Sequence, residues 1–253
     1  MIEMEGLLLG SGGWIPTSRR ETCSAYLREG SHILLIDAGT GIQRLVERPE
    51  LLAGAESVHI VLTHFHLDHV VGLSYLPALS LPQPPTLWGP GQLLAGSETR
   101  SILDRLLAPP LFSAPLREIV TCVREIPSGE FEVDSFRIAT RVQKLHSEPT
   151  LALRIGDLLT YCTDTAPDPG NVGFAAGSRV LLHEAWYARN ASADGNHSAA
   201  GDAGRIAREA GVERLVLIHV NPLQDEDETL AASAAREFPA VQVGIDLAPI
   251  VLE

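Results

Sequence analysis

Lysine is almost missing from this chain. Lys144 is the only one among 19 basic residues, which face 32 acidic ones for a formal net charge of −13. So acidic a chain does not hold long nucleic acid by neutralising phosphates alone. Cysteine is scarce too: Cys23, Cys122 and Cys162 form no CxxC, and their odd number gives no disulfide framework, as expected in a reducing compartment. Apolar runs stop at about four residues, as at 33–36 and 215–218, too short for a membrane-spanning helix. The first six residues carry Glu3 and Glu5 where a secretory leader needs Lys or Arg, so a cytoplasmic location with no membrane contact is expected. Repeats, low-complexity tracts and long linkers are absent. With 45% apolar and 20% charged residues, the composition excludes disorder and coiled coil.

What is present has the rhythm of an α/β protein. The length of 253 residues fits one domain over 1–253. Short runs rich in Val, Ile and Leu predict strands at 7–9, 23–28, 32–36, 58–63, 136–142, 151–155, 158–163, 179–182, 215–218 and 241–245. Several are apolar throughout, as in strands covered on both faces. Ala199, Ala203, Ile206, Ala207 and Ala210 share one helical face, which predicts a helix over 198–210 stopped by Gly211. Further helices are expected at 226–237, 41–48, 69–79 and 92–107. The order of strands then helices occurs twice, which indicates two packed sheets with outer helices. Segments 81–90 and 109–116, with Trp88 and Phe112, read as irregular rim, either shaping a pocket or packing on the core.

The chemistry is concentrated in Thr63-His64-Phe65-His66-Leu67-Asp68-His69, directly after a predicted strand. Core packing does not explain four metal-ligating side chains in six residues, whereas a metal site does. His64 and His66 can point the same way from an extended segment. Asp68 and His69 enter the following helix and face a neighbouring point, so one loop can serve two ions. His146, Asp164 and His219 each stand just after an apolar strand. Taken singly, such a residue is either a turn or cap residue or a ligand, because strand ends are where sites gather in α/β folds.

Together, the HxHxDH block followed by His146, Asp164 and His219 resembles the metallo-β-lactamase superfamily of binuclear hydrolases. Leu9-Gly10-Ser11-Gly12-Gly13 with Pro16 is similar to its N-terminal glycine loop, and the segment ending in Asp37-Ala38-Gly39 to its DAG strand. Within the superfamily the tRNase Z branch and neighbouring phosphodiesterases are most similar. The residues that carry this are Trp88-Gly89-Pro90, His146 with Pro149 and Arg154-Ile155, Asp164-Thr165, Leu182-His183-Glu184-Ala185 and His197-Ser198. The resemblance implies a four-layer αββα sandwich with the site at one edge of the sheets. It implies one divalent ion on His64, His66 and His146, a second on Asp68, His69 and His219, and Asp164 bridging both. Zn²⁺ is the favoured ion, and Mn²⁺ or Fe²⁺ also suit such donors. His66 argues against the di-iron oxygen-reducing branch, and Asp164 against true β-lactamases.

The implied reaction is attack of a metal-bridging hydroxide on a phosphodiester. Asp68 would ligate and also accept the proton of that water. His197, oriented by Glu184, would be the general acid for the leaving alkoxide. Both of the branch's motifs are incomplete, because Trp186 and Ala199 replace threonines. Asp37 is expected to brace the HxHxDH loop; His183 reads equally as bracing or structural, His32 and His59 have no assigned role, and Cys162 reads as a buried thiol. Only residues 147–163 separate His146 from Asp164, whereas tRNase Z enzymes typically insert a long tRNA-gripping arm there. A small phosphodiester, such as a cyclic phosphate or nucleotide, is therefore preferred over precursor tRNA. The alternatives are a tRNA 3′-processing endonuclease, a thioester or lactone hydrolase, and, last, a non-catalytic metal-binding interaction protein. A homodimer is common in this branch.

Overall fold

The computed structural model describes residues 4–81, 83–188, 195–224 and 226–252. One sheet runs in the order β1 (Met4–Gly10), β2 (Ser24–Glu29), β3 (His32–Ile36), β4 (Ser57–Val61), β5 (Thr86–Gly89), β6 (Cys122–Glu125). The other comprises β7 (Glu130–Val133), β8 (Phe136–Gln143), β9 (Thr150–Ile155), β10 (Leu159–Cys162), β11 (Val180–Glu184), β12 (Arg214–Ile218) and β13 (Val241–Val243), paired in chain order. Each sheet has an antiparallel part, β1 to β3 and β7 to β10. Each also has a parallel part, β3 to β6 and β10 to β13.

Strand periodicity builds the layers. In β3, Leu34 and Ile36 turn toward the second sheet and meet residues such as Phe136, Leu153, Tyr161 and Leu182. Ile33 and Leu35 turn outward, onto Leu45, Leu73, Leu103 and Leu116 of the first helical layer. In β11, Val180 and Leu182 face inward, while Leu181 packs with Ala203, Ile206 and Leu230 of the second helical layer. Strands apolar on both faces thus give a four-layer αββα sandwich. The outer helices are α1 (Gln43–Glu47), α2 (Leu67–Val70), α3 (Thr99–Leu103), α4 (Leu116–Ile119), α5 (Gly170–Ala175), α6 (Ala200–Ala210) and α7 (Asp227–Ala235). Gly211 ends α6 in the left-handed conformation, at φ 69°.

Three local expectations need correction. The segment 81–90 is not irregular, because it contains β5, which joins β4 to β6; Pro82 lies outside the described residues. Trp88 packs on the inter-sheet core and Phe112 on the outer core, which is the core-packing alternative for both. Strands β6 and β7 are edge strands with polar residues on one face, so a search for apolar runs passes over them. The helix expected over 69–79 ends at Val70 and continues as 3-10 turns through Ala78. There Gly72 is pressed so closely against the DAG turn that a Cβ would lie 2.1 Å from Gly39 O. The helix expected over 92–107 is split into a wide turn, Gly91–Ala95, and α3, with left-handed Gly96 between them.

Candidate metal centre and active site

The chemical residues gather where strands end. Asp37 follows β3, the 63–69 loop follows β4, His146 follows β8, Asp164 follows β10 and His219 follows β12, while Glu184 ends β11. These are the carboxyl ends of strands pointing the same way, where α/β sheets hold their sites. Three of these residues sit in left-handed backbone: Asp37 (φ 59°), Asp164 (φ 48°) and His219 (φ 51°). Such non-glycine conformations each cost about 1–3 kcal/mol and persist only where the surroundings enforce them.

The enforcement is visible in the hydrogen bonds. Asp37 accepts from Thr63 N at 2.7 Å, from the Thr63 hydroxyl, and from His69 Nδ1 at 2.8 Å. Ala38 N donates to His69 O. Gly39 lies so close that a Cβ would be 2.4 Å from Asp68 O. On the far side, Gly13 N and Val220 N tie the glycine loop to the His219 strand end, and Gly13 lies flat against the His219 ring. Buried Arg20 holds this loop through Ser11 Oγ, Gly244 O and Asp227. The loop then delivers Trp14 N to Asp68 Oδ2 at 2.7 Å.

All seven expected ligands converge. Ligand atoms of His64, His66, His146 and Asp164 lie within 4.8 Å of one another, as do those of Asp68, His69 and His219. Asp164 reaches both groups. Its Oδ1 is 3.6 Å from His146 Nε2, and its Oδ2 is 3.1 Å from His69 Nε2 and 3.4 Å from His219 Nε2. A third grouping within the same limit joins Asp164, His219 and His197.

The donor chemistry fits divalent cations. The Thr63 hydroxyl donates to Asp37 and so accepts from His64 Nδ1–H at 3.0 Å, leaving Nε2 as the lone-pair nitrogen of His64. Likewise His69 Nδ1 donates to Asp37, and His146 Nδ1 to Asn196 O at 2.9 Å. His64 Nε2 is buried with no hydrogen-bond partner, and His69 Nε2 faces only the Asp68 and Asp164 carboxylates. His146 Nε2 and His66 Nδ1 stand 3.3 Å apart. Fixing one ring nitrogen so that the other points inward is how proteins prepare imidazole for a metal.

Electrostatics agree. Burial, with His69 beside it, pushes His64 well below the usual imidazole range, so it is neutral and able to ligate. Burial also lowers His66 and His146. His69 is instead held well above that range although burial opposes it, because Asp68, Asp164 and Asp37 surround it; a cation bound among these carboxylates would take the place of its proton. Asp164 is held well below the carboxylate range against its own burial, by His219 and His69.

Beside the centre, His197 Nδ1 bonds Glu184 Oε2 at 2.9 Å, and Thr165 N donates to Glu184 Oε1. Burial pushes the fully enclosed Glu184 carboxyl well above its usual range. The His197 ring stacks on Trp186 at 4.5 Å between centroids, and Trp186 stacks in turn on His219 at 5.2 Å. The threonine-to-tryptophan departure thus lies inside the site. His183 bonds Glu184 O and shares the outward face of Leu181, turned from the metal centre. Buried Cys162 is a raised, inert thiol. His32 and His59 bond Asp134, in the turn between β7 and β8, at the opposite end of the strands. The sequence assigns no role to Thr63, Trp14 or Asn196, and marks Trp186 only as a departure from the branch's motif. Of the first three, only Thr63, adjoining the histidine block, carried a local signal.

A family model described as a beta-lactamase superfamily domain matches residues 32–220. The chain belongs to this superfamily, in its tRNase Z-like branch, and is a metal-dependent hydrolase. A protein named Ribonuclease Z from Brevibacillus brevis is 30% identical, the match covering 96% of this chain and 95% of the relative. Its alignment runs over 307 positions, so the relative carries segments that this 253-residue chain lacks. The metallo-beta-lactamase fold protein YhfI from Bacillus subtilis superposes with a TM-score of 0.80 at 20% identity, over 99% of both chains. A diphosphatase from the PhnP family gives 0.77 at 17% identity, over 99% of this chain and 98% of the other. These two likenesses establish the fold.

Proposed function

We propose that this protein is a phosphodiesterase for a small phosphodiester, a cyclic phosphate or a nucleotide. The observation that carries the reading is the His197–Glu184 pair beside the histidine and aspartate cluster. A phosphodiester expels a poorly departing alkoxide that needs a proton, and His197 is the group positioned to give it. His64, His66 and His146 would hold one ion and Asp68, His69 and His219 the other, with Asp164 shared; the histidine-rich donors favour Zn²⁺. Two such ions, when bound, supply Lewis-acid polarisation of the phosphoryl oxygens and acidify water toward neutral pH.

The chain's own residues do the remaining work. Asp68, steadied by Trp14 N–H, accepts the proton of the attacking water. One P–O bond forms from that water as the P–O bond to the leaving alkoxide breaks. His197 has Nδ1 engaged by Glu184, so its other ring nitrogen delivers the proton to the alkoxide. The interval from His146 to Asp164 holds only a short turn and the β9–β10 hairpin, which supports a small substrate over one gripped by an arm.

A second reading, tRNA 3′ processing, is favoured by the 30%-identical relative named Ribonuclease Z. The test is Zn²⁺-reconstituted protein on bis(p-nitrophenyl) phosphate, cyclic nucleotides, precursor tRNA, lactones and S-lactoylglutathione. Turnover of the small diesters is expected. Cleavage of precursor tRNA without them supports the second reading, and turnover of only thioester or lactone, or metal binding without turnover, overturns both.

A further inference from the structure

Two cavities flank the metal centre. One, of about 240 Å³, is lined by Asp68, Asp164, His146, His197, Trp186 and His219. The other, of about 520 Å³, is walled by Phe65, Leu94, Ala95, Ile102 and Pro149, and has Arg105 at its edge. His66 lines both, and the second also reaches His64, so one substrate can lie across the centre with a substituent in each. The volume is in the range of small-ligand clefts.

The second cavity is suited to one kind of occupant. Its walls are apolar, contributed by the split segment before and within α3 and by Pro149. Its mouth carries a donor, Arg105, with no ion pair or hydrogen bond to its guanidinium among the described residues, and an acceptor, Glu148. An alkyl chain would leave both without use, and a purely anionic group would be repelled by Glu148. A nucleoside offers a flat ring for the walls and both donors and acceptors along its edge.

Catalytic geometry settles which nucleoside. The leaving oxygen must lie within reach of His197, which lines only the smaller cavity. The substituent that stays on phosphorus then takes the other side. Resting on the phosphodiesterase reading, we infer that the cavity walled by Phe65, Leu94, Ala95, Ile102 and Pro149 binds the nucleoside retained on phosphorus, so that the enzyme selects this half of its substrate and releases a nucleoside monophosphate. Water supplies the new P–O bond, the bond to the other substituent breaks, and that substituent leaves as an alcohol with the proton from His197.

The test compares thymidine 5′-(p-nitrophenyl phosphate) with methyl p-nitrophenyl phosphate on Zn²⁺-reconstituted protein. Both expel the same good leaving group, so only the retained side differs. A kcat/KM at least about tenfold higher for the thymidine diester is expected, equal to about 1.4 kcal/mol of selection. Ala95→Trp, which fills the cavity from an exposed wall position, should shrink that ratio to about threefold or less. Calorimetric titration of thymidine 5′-monophosphate and of methyl phosphate, with and without metal, is the second measurement. The nucleotide should bind about tenfold more tightly, an advantage lost in Ala95→Trp. Near-equal kcat/KM and near-equal binding overturn the inference. If neither diester is hydrolysed the phosphodiesterase reading fails by itself, and the titration still decides whether the cavity takes a nucleoside.

Discussion

Asp37 Oδ2 lies 2.8 Å from His69 Nδ1, and both side chains are fully buried. The same carboxylate holds Thr63, whose hydroxyl fixes His64. One aspartate thus orients a histidine in each of the two ligand groups. Replacement by Ala should weaken metal affinity by about 10–100-fold, the usual effect of removing a partner behind a ligand. Competition with a chromophoric chelator measures this, and unchanged affinity would remove Asp37 from the metal-holding apparatus.

His197→Ala should act through the leaving group. With bis(p-nitrophenyl) phosphate the departing phenolate needs no proton, and turnover should change little. With a diester that expels an alkoxide, kcat should fall by about 10²–10⁴-fold. Equal losses on both substrates would indicate that His197, which also lies within 4.8 Å of Asp164 and His219 ligand atoms, holds metal rather than donating a proton.

Gly13 is the point where the glycine loop lies against a ligand. A Cβ there would sit 2.5 Å from His219 Cε1, inside any tolerable contact. Gly13→Ala should push the His219 ring aside and lower bound metal from two ions toward one per chain, read by elemental analysis, with the fold retained by circular dichroism. Two ions retained at full affinity would contradict this account of the glycine.

The thiols should separate by burial. Cys23 and Cys162 are enclosed, and desolvation raises both well above the usual thiol range, so neither has appreciable thiolate at pH 8. Cys122 is only half-buried. Brief alkylation of the folded protein at pH 8 should label Cys122 alone, with the other two reacting after unfolding. Labelling of Cys162 in the folded state would mean that the β10 end opens.

At the opposite end of the strands, His59 Nε2 bonds Asp134 at 2.8 Å and ties the first sheet to the β7–β8 turn of the second. Burial alone would raise Asp134, but hydrogen bonds from Ser57 and His59 outweigh it and hold the carboxyl below its usual 3.8. A carboxylate lowered by folding stabilises above its unfolded pKa and loses that contribution as pH falls through the folded value. Asp134→Ala should therefore lower Tm at pH 7 by roughly 2 °C or less, as suits a partly exposed pair, and the difference should close below pH 3.8. A gap that widens in acid would refute the assignment.

Much of this was legible from local spacing. Unbroken apolar runs at residues 33–36 and 180–182 announced strands covered on both faces, and the 64–69 block announced a metal loop, because hydrophobic pattern and ligand density are properties of neighbouring residues. Edge strands β6 and β7 were not legible, since half of each is solvated and polar. Nor was β5, four residues long and hidden in a proline-rich segment. The tertiary structure alone decided what lies across the chain from what: Thr63 between Asp37 and His64, Trp186 against both His197 and His219, Arg105 beside a cavity that begins at His64. Sequence specifies which groups can bind a cation or carry a proton. Only the packing of distant strands, which buries those groups and fixes which nitrogen of each ring points inward, determines where they meet and what can lie between them.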